Sequence, residues 1–273
     1  MRRDLLRLTS GLLAGLALVA AIRAQDDTGT PRPAEAARAP QASHAGGAPR
    51  AFGIGETATY DVAVGGARVG EGSMSIVGTE KVRGVETYHS VLTIEGGLLI
   101  FRVNDKLESW FDPTAMISHR FSEDINEGAY HRSNVYEIYP DKKISQREGK
   151  PEEPSVENPL DDASFFYFVR TVPLVVGETY VFERYYRPEK NPVIVKVLRR
   201  ERVKVKAGTF ETIVIQPIIK SGGIFADGGE AYMWLTDDHR HIMVQFKAKV
   251  KYLHSLDLYL KSYTPPPDST SSP

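Results

Sequence analysis

The sequence of 273 residues contains no cysteine. A disulfide framework, a thiolate metal site, a cysteine nucleophile and an acylated lipoprotein cysteine are therefore all excluded. The formal net charge is only -1, so the chain lacks the basic excess with which proteins gather nucleic acid or anionic lipid. The composition, 41% hydrophobic and 25% charged, is that of a globular protein. We therefore expect no nucleic-acid partner and a fold held together by its hydrophobic core alone.

The sequence also lacks an apolar run of the roughly 20 residues that a membrane-spanning helix needs. Its clearest apolar run, Gly11 to Ile22, follows Arg2 and Arg3 and precedes small residues around Ala24. This order is typical of a secretory signal peptide. We predict that residues 1–24 are removed near Ala24 and that the mature protein is exported without a stable transmembrane segment. A retained anchor is the alternative, and "RRDLLR" leaves open whether the general secretory or the twin-arginine route is used.

Two segments lack the bulky apolar side chains that a packed core requires. Residues 25–50 are rich in alanine, proline, glycine and polar residues, a composition that does not offset chain entropy. Residues 264–273, "TPPPDSTSSP", have the same character. We predict a disordered linker, a disordered tail and, between them, a single β-rich domain over residues 51–263.

Alternating apolar and polar residues dominate this domain. In "TATYDVAV", Ala58, Tyr60 and Val62 fall on one face of an extended chain, as a half-buried strand requires. The alternation recurs in about 11–13 segments, and most connections are too short for helical crossovers. One hairpin is expected at Val203 to Pro217, turning near Gly208. The pattern predicts a mainly β fold, with an antiparallel curved sheet forming a half-open barrel or sandwich.

One segment, "NPLDDASFFYFVRTVPL", breaks the alternation and predicts the principal helix, over about residues 162–172. Asp161 or Asp162 is a natural N-cap, Arg170 lies near the negative end, and Pro173 stops the helix. Its large apolar side chains are Phe165, Phe166, Phe168 and Val169. Because they cover about two-thirds of the circumference, we expect the helix to be buried against the concave face of the sheet.

The order of these features resembles the bacterial family DUF3108, a domain of unknown function found in proteins exported to the periplasm. The motifs that carry the resemblance span about residues 53–260 and are "GETATYDV", "GGARVGEGSMSI", "DDASFFYFVR", "VGETYVFE", "KVKAGTFETIVIQP", "GGEAYMWLTDDHRHIMVQF" and "LDLYL". The resemblance implies a periplasmic location and a fold similar to periplasmic lipoprotein carriers, in which a curved sheet wraps partly around a helix. The family usually has a cysteine where Thr212 stands and a proline where Ile242 stands.

No nucleophile elbow, zinc-protease motif or phosphate loop is present, so we name no catalytic residue and expect no cofactor. Aromatic side chains either fill the core or line an apolar cavity. The candidates for the second role are Phe165, Phe166, Phe168, Tyr232 and Trp234. A weaker alternative is a metal site at His239 and His241, two apart on a strand, completed by a neighbouring aspartate.

We therefore predict a non-enzymatic binding or envelope-assembly protein with a cavity for a lipid or another apolar molecule. One alternative is an envelope hydrolase that uses aspartate and histidine residues brought together by the fold. The other is a structural or interaction module that binds through exposed strand edges. The sequence identifies no protein partner.

Overall fold

The computed structural model describes residues 51–98, 101–219, 231–249 and 255–267. The predicted signal peptide (1–24), the linker (25–50) and the end of the tail (268–273) lie outside these residues. The described residues form fourteen strands in one antiparallel sheet. The strands are β1 (Thr57–Val64), β2 (Ala67–Val82), β3 (Val85–Leu98), β4 (Phe101–Asp112), β5 (Ile117–Glu127), β6 (Tyr130–Tyr139), β7 (Ile144–Arg147), β8 (Glu152–Pro154), β9 (Thr179–Phe182), β10 (Val193–Val205), β11 (Gly208–Ile219), β12 (Ala231–Thr236), β13 (Met243–Ala248) and β14 (Leu256–Thr264).

The sheet consists of two meanders that meet in the middle. Strands β1 to β8 pair in sequence order, β9 to β14 do the same, and β1 pairs with β14. The sheet curves but does not close, and β8 and β9 are its two edges. Beyond these edges Leu160 forms a bridge with Tyr185, so the segments that follow the two edge strands touch.

The predicted mainly β fold is confirmed, although the described residues form fourteen strands and the alternation predicted about 11–13. The additional strand, β8, has three residues that are all exposed. A strand without a buried side chain leaves no alternating pattern in the sequence. At the other boundary, β14 reaches Thr264, one residue into the predicted tail.

The helical segment lies between the two edge strands. Helix α1 covers Ser164–Phe168 and continues as a 3-10 turn over Val169–Thr171. The predicted helix is confirmed, but it starts two residues later and ends one residue earlier than the predicted 162–172. It ends because Val172 takes an extended conformation, as is usual for the residue that precedes a proline.

A buried network fixes the start of α1 to the sheet. The carboxyl Oδ1 of Asp161 accepts the backbone N–H groups of Ala163 (2.9 Å) and Ser164 (2.8 Å). Its Oδ2 accepts the hydroxyl of Ser109 on β4 at 2.5 Å, and the hydroxyls of Ser118 and Ser164 are 2.8 Å apart. Burial raises the pKa of Asp161 to about 6. Of the two predicted caps, Asp161 is therefore the one that binds the helix N–H groups.

A buried ion pair fixes the other end of the helical segment. Arg170 Nη1 and Nη2 donate to Glu56 Oε1 (2.5 Å) and Oε2 (3.1 Å), and both side chains are 4% exposed. The guanidinium also donates to the carbonyl oxygens of Ala51 and Arg240, and the hydroxyl of Tyr263 donates to Glu56 at 3.0 Å. The pair therefore joins the helical segment to the residues before β1, the β12–β13 turn and β14.

A second, smaller core lies on the opposite face of the sheet. Strand β10 has a bulge between Val197 and Arg199, and the backbone N–H of Ala207 donates to the carbonyl of Leu260 at 3.1 Å. The tip of the predicted β10–β11 hairpin therefore reaches across to β14. The residues buried in this outer core are Val203, Val214, Trp234 and Val244.

Candidate functional site

The face of the sheet that contacts α1 changes from apolar to charged across the strands. Residues paired directly across neighbouring strands form rows on this inner face. One row runs from β1 to β6 and comprises Ala58, Met74, Leu92, Leu107, Glu123 and Asn134. The next comprises Tyr60, Gly72, Ile94 and Asp105, and the one after it Val62, Gly70, Gly96, Val103 and Glu127. The three rows define the candidate site, with an aliphatic part on β1 to β4 and a charged part on β4 to β6.

Helix α1 covers only part of this inner face. The helix and its 3-10 turn are together roughly 13 Å long, whereas β4, with 12 residues, is roughly 40 Å long. Leu92, Ile94 and Leu107 pack against the core but remain partly exposed. Phe166 of α1 is also partly exposed, and its ring contacts Phe246 of β13 at 6.4 Å between centroids. We call Leu92, Ile94 and Leu107 the aliphatic strip.

Beyond this strip, glycines on β2 and β3 leave the inner face without side chains. A Cβ atom at Gly70 would lie 2.2 Å from the carbonyl oxygen of Glu95, and one at Gly96 would lie 2.4 Å from that of Val69. Strands β2 and β3 therefore approach too closely here for any side chain. A gap of about 10 Å³, room for about one water molecule, is lined by Val62, Val69, Gly70, Ile94, Gly96 and Val103, among others.

The charged part has one well-satisfied carboxylate. Glu123 is buried and accepts hydrogen bonds from Arg132 (2.8 Å), Asn134 (2.7 Å) and the hydroxyl of Tyr136 (3.2 Å). Arg187, which follows β9, donates to the same Tyr136 hydroxyl at 3.0 Å. Buried carboxylates need hydrogen-bond donors and a nearby positive charge. The protein itself supplies both to Glu123.

A second carboxyl, that of Asp105, is only half satisfied. Asp105 is 4% exposed, and its Oδ1 accepts the backbone N–H of Asn126 at 2.9 Å. Its Oδ2 is buried, and no backbone N–H, amide or hydroxyl group of the described residues donates to it. The side chain of Glu127 forms a hydrogen bond with the Asp105 carboxyl group. Burial raises the pKa of Asp105, and the hydrogen bonds with Asn126 and Glu127 oppose the rise.

The five aromatic residues proposed from the sequence do not share one site. Phe165 and Phe168 are buried in the main core, Phe168 against Phe182 at 4.9 Å, and Phe166 alone of the three is partly exposed. Tyr232 and Trp234 lie on the other side of the sheet, in the outer core, with ring centroids 6.3 Å apart. The sequence did not separate them because β12, "AYMWLT", is apolar on both faces.

The two histidines of the metal alternative do not lie on a strand, as the sequence analysis expected. They belong to the turn between β12 and β13, where Asp238 accepts the backbone N–H of His241. His239 is exposed, and His241 Nδ1 donates to the carbonyl of Arg170 at 3.0 Å. Burial lowers the pKa of His241. Within the part of the chain that the structure describes, no three histidine or acidic side chains are grouped as a metal site requires.

Sequence analysis missed the charged part of the inner face. Asp105 stands in the same register as the inward-facing Val103 and Leu107, and Glu123 in that of Phe121. Acidic residues at apolar positions of a strand were the available signal, because such positions face the core. The sequence analysis considered only the apolar residues of these alternating strands.

Comparison with solved structures matches the chain to a β-barrel-like protein of the domain of unknown function DUF1849 from Brucella abortus. The TM-score is 0.52 at 8% identity, and the match covers 79% of this chain and 99% of that chain. A likeness at this identity shows the fold alone. No helix among the described residues is long and apolar enough to cross a membrane.

Two further solved structures match with lower scores. One is provisionally described as a lipoprotein of Parabacteroides distasonis, with TM-score 0.35, 11% identity and coverage of 78% of this chain and 98% of that chain. The other is provisionally described as an exported protein of Bacteroides fragilis with a YmcC-like fold, with TM-score 0.36, 13% identity and coverage of 78% and 97%.

Comparison with curated proteins gave no match. The family model DUF3108, described as a protein of unknown function, matches residues 59–261. The matched region begins within β1 and ends within β14, so it includes twelve whole strands, most of β1 and β14, α1 and all of the candidate site except Ala58. The chain therefore belongs to the DUF3108 family, as the sequence motifs indicated.

Proposed function

We propose that this is an exported, non-enzymatic binding protein that holds a lipid-like ligand on the inner face of its sheet, beside α1. One observation carries the proposal. The aliphatic strip faces the interior, on the same side as the buried core, yet its side chains remain partly exposed. Apolar side chains that face inward without being covered favour an apolar ligand, because covering them contributes about 25 cal/mol for each Å² removed from water.

The surroundings of the strip support a ligand of mixed polarity. Small-molecule sites are mostly apolar with a few polar groups that fix the orientation. Here the strip shares its rows with Asp105 and Glu123, and Glu127 lies in the adjacent row. An amphiphile would lay its chain along Leu92, Ile94 and Leu107 and direct its head group toward β4 and β5. The predicted signal peptide supports export, and the periplasm is the compartment implied by the family resemblance.

Native mass spectrometry of protein purified from its own compartment tests the proposal, because a bound lipid would survive gentle ionisation. The neutral fluorophore N-phenylnaphthylamine provides a second readout, since it brightens in an apolar site. We expect Ile94→Asn to weaken its binding about tenfold or more, which corresponds to about 1.4 kcal/mol. Val77→Asn is the matched control, because Val77 is a 56% exposed residue of β2.

The proposal fails if purified protein carries no lipid and the fluorophore does not bind. It also fails if Val77→Asn lowers binding as much as Ile94→Asn, since the probe would then lie outside the inner face. The hydrolase and interaction-module alternatives stay predictions, because no contact among the described residues singles either of them out.

A further inference from the structure

Strand β10 runs past the end of its neighbour β9 and leaves one border of the sheet open. Strand β9 pairs with β10 only at Val193–Lys196, whereas β10 continues to Val205 and pairs on its other side with β11. No strand of the described residues pairs with the border from Leu198 to Val205, which is roughly 25 Å long. A strand edge of this length needs either protection or a partner.

The exposed side chains of this border are strongly basic. Over residues 196–211 the β10–β11 hairpin carries six basic and two acidic side chains, although the net charge of the whole chain is only -1. Arg200, Arg202 and Lys204 are exposed, and they alternate with residues such as Val203 that are buried in the outer core. We call Arg200, Arg202 and Lys204 the basic edge.

Ion pairs within the protein cancel only part of this charge. Arg200 pairs with Asp237 at 2.7 Å and Arg202 with Glu211 at 2.6 Å, yet the two arginine side chains remain 61% and 73% exposed. Lys204 is exposed and forms no ion pair with any described residue. Exposed ion pairs are weak, so the anionic groups of a partner can compete with these carboxylates. The basic edge therefore presents net positive charge to the solvent.

Two exposed valines lie beside the start of the basic edge. Val175 and Val176 are 55% and 38% exposed, and they precede β9. Their segment is held to β10, because the backbone N–H of Gly177 donates to the carbonyl of Val197 at 2.9 Å. Arg200 follows roughly 10 Å further along β10. Protection of an edge explains the charges, but it does not explain two adjacent apolar side chains in water, which are typical of a contact surface.

We propose that this border docks on the surface of an anionic lipid bilayer, with the basic edge at the lipid phosphates and Val175 and Val176 in the interfacial region. Anionic head groups attract basic side chains, and binding through two weak contributions is stable where either alone is marginal. An acidic protein would also attract the basic edge, and the adjoining valines are what favour a bilayer.

This inference goes beyond the proposed function, because the border lies outside the inner face of the sheet. Val175 follows the helical segment beside the candidate site by only four residues. Docking would therefore bring that site close to a bilayer, which is a source of lipid-like ligands.

Co-sedimentation with vesicles tests the docking. Protein purified from its own compartment would be mixed with vesicles of phosphatidylcholine alone and with vesicles of phosphatidylcholine and phosphatidylglycerol in equal amounts. We expect binding to the mixed vesicles to be about tenfold tighter or more. The difference should shrink as salt is added, because salt screens exposed charges.

Matched variants locate the contact. Lys204→Glu should weaken binding to the mixed vesicles about tenfold or more. Lys150→Glu makes the same charge reversal at an exposed residue between β7 and β8 and should change binding by less than about twofold. Val175→Asn should weaken binding about threefold or more, whereas Val77→Asn alters a valine of equal exposure, 56% against 55%, and should not. Circular dichroism checks that each variant folds.

Each contrary outcome overturns a stated part of this inference. Equal binding to both kinds of vesicle, or to neither, would overturn docking on an anionic bilayer and leave protection of the edge as the role of the charges. Equal effects of Lys204→Glu and Lys150→Glu would mean that overall charge, and not this border, determines binding. Equal effects of Val175→Asn and Val77→Asn would remove the valines from the contact. Binding of poly-glutamate without binding of mixed vesicles would assign the basic edge to an acidic protein.

The proposed function is tested separately by N-phenylnaphthylamine, which reports on the inner face. Loss of vesicle binding with unchanged fluorophore binding would overturn the docking alone. Vesicle binding by protein that takes up no fluorophore and carries no lipid would overturn the proposed function and leave the docking in place.

Discussion

Replacing Arg170 by methionine should destabilise the protein more than most single substitutions. The change keeps an apolar side chain of comparable length but removes the guanidinium, and with it both hydrogen bonds to Glu56 and those to the carbonyls of Ala51 and Arg240. Glu56 would keep the hydroxyl of Tyr263 and lose its counter-charge while remaining buried. Removing one partner of a buried ion pair costs about 3–5 kcal/mol.

A loss of that size is a large share of the roughly 5–15 kcal/mol by which a domain is stable. Urea unfolding at pH 7, followed by circular dichroism and extrapolated to water, would measure it. The double variant Arg170→Met with Glu56→Gln tests the cause, because it removes the uncompensated charge. We expect the double variant to recover at least about 2 kcal/mol of the loss, since replacing both partners of a buried pair is often close to neutral.

Two results would contradict this reasoning. A loss below about 1 kcal/mol for Arg170→Met would place it among ordinary surface changes and would mean that Glu56 finds other donors. A full loss without recovery in the double variant would assign the effect to packing instead, because the guanidinium also lies 5.3 Å from the ring centre of Phe52 and 5.9 Å from that of Tyr167.

Two further predictions concern α1. Phe165→Ala should cost about 3–5 kcal/mol, because the side chain is 1% exposed, whereas Phe166→Ala should cost clearly less in urea unfolding and weaken fluorophore binding; equal costs would place both rings in the core. The free energy of unfolding of Asp161→Asn, relative to that of the wild type, should rise with pH and be highest at pH 7. Since burial raises the native pKa of Asp161 to about 6 from an ordinary value of about 3.9, the wild type loses stability as pH rises from 4 to 6, by roughly 3 kcal/mol at most. A constant difference between Asp161→Asn and wild type from pH 4 to 7 would rule out this titration.

The strands and the helix could be predicted because each depends on local patterns. The alternation of Ala58, Tyr60 and Val62 places all three in the core, and the aspartates before the aromatic helix include the residue that caps it. The second aspartate, Asp162, instead accepts the hydroxyl of Tyr185 at 2.7 Å. Asp162 precedes α1 in the chain and Tyr185 follows it, so no local pattern specifies this contact.

The candidate site was predicted less well because its residues are related by cross-strand pairing. Phe166 was included among the aromatic candidates, but Tyr232 and Trp234 were assigned to the same site although they lie on the other face. Asp105 and Glu123 become neighbours of the aliphatic strip through the register of β3, β4 and β5. Register depends on the whole sheet, so a sequence interpreted strand by strand does not give it.

The pairing of β1 with β14 has a consequence for how the chain acquires its structure. Every other strand pair in the described sheet joins neighbours along the chain, and such pairs form early because little loop entropy is lost in closing them. Strand β14 is the last of the fourteen to be synthesised, so β1 keeps an unpaired edge through nearly all of translation. Unpaired edges recruit other chains, and the interval before β14 arrives is therefore when this protein is most exposed to aggregation.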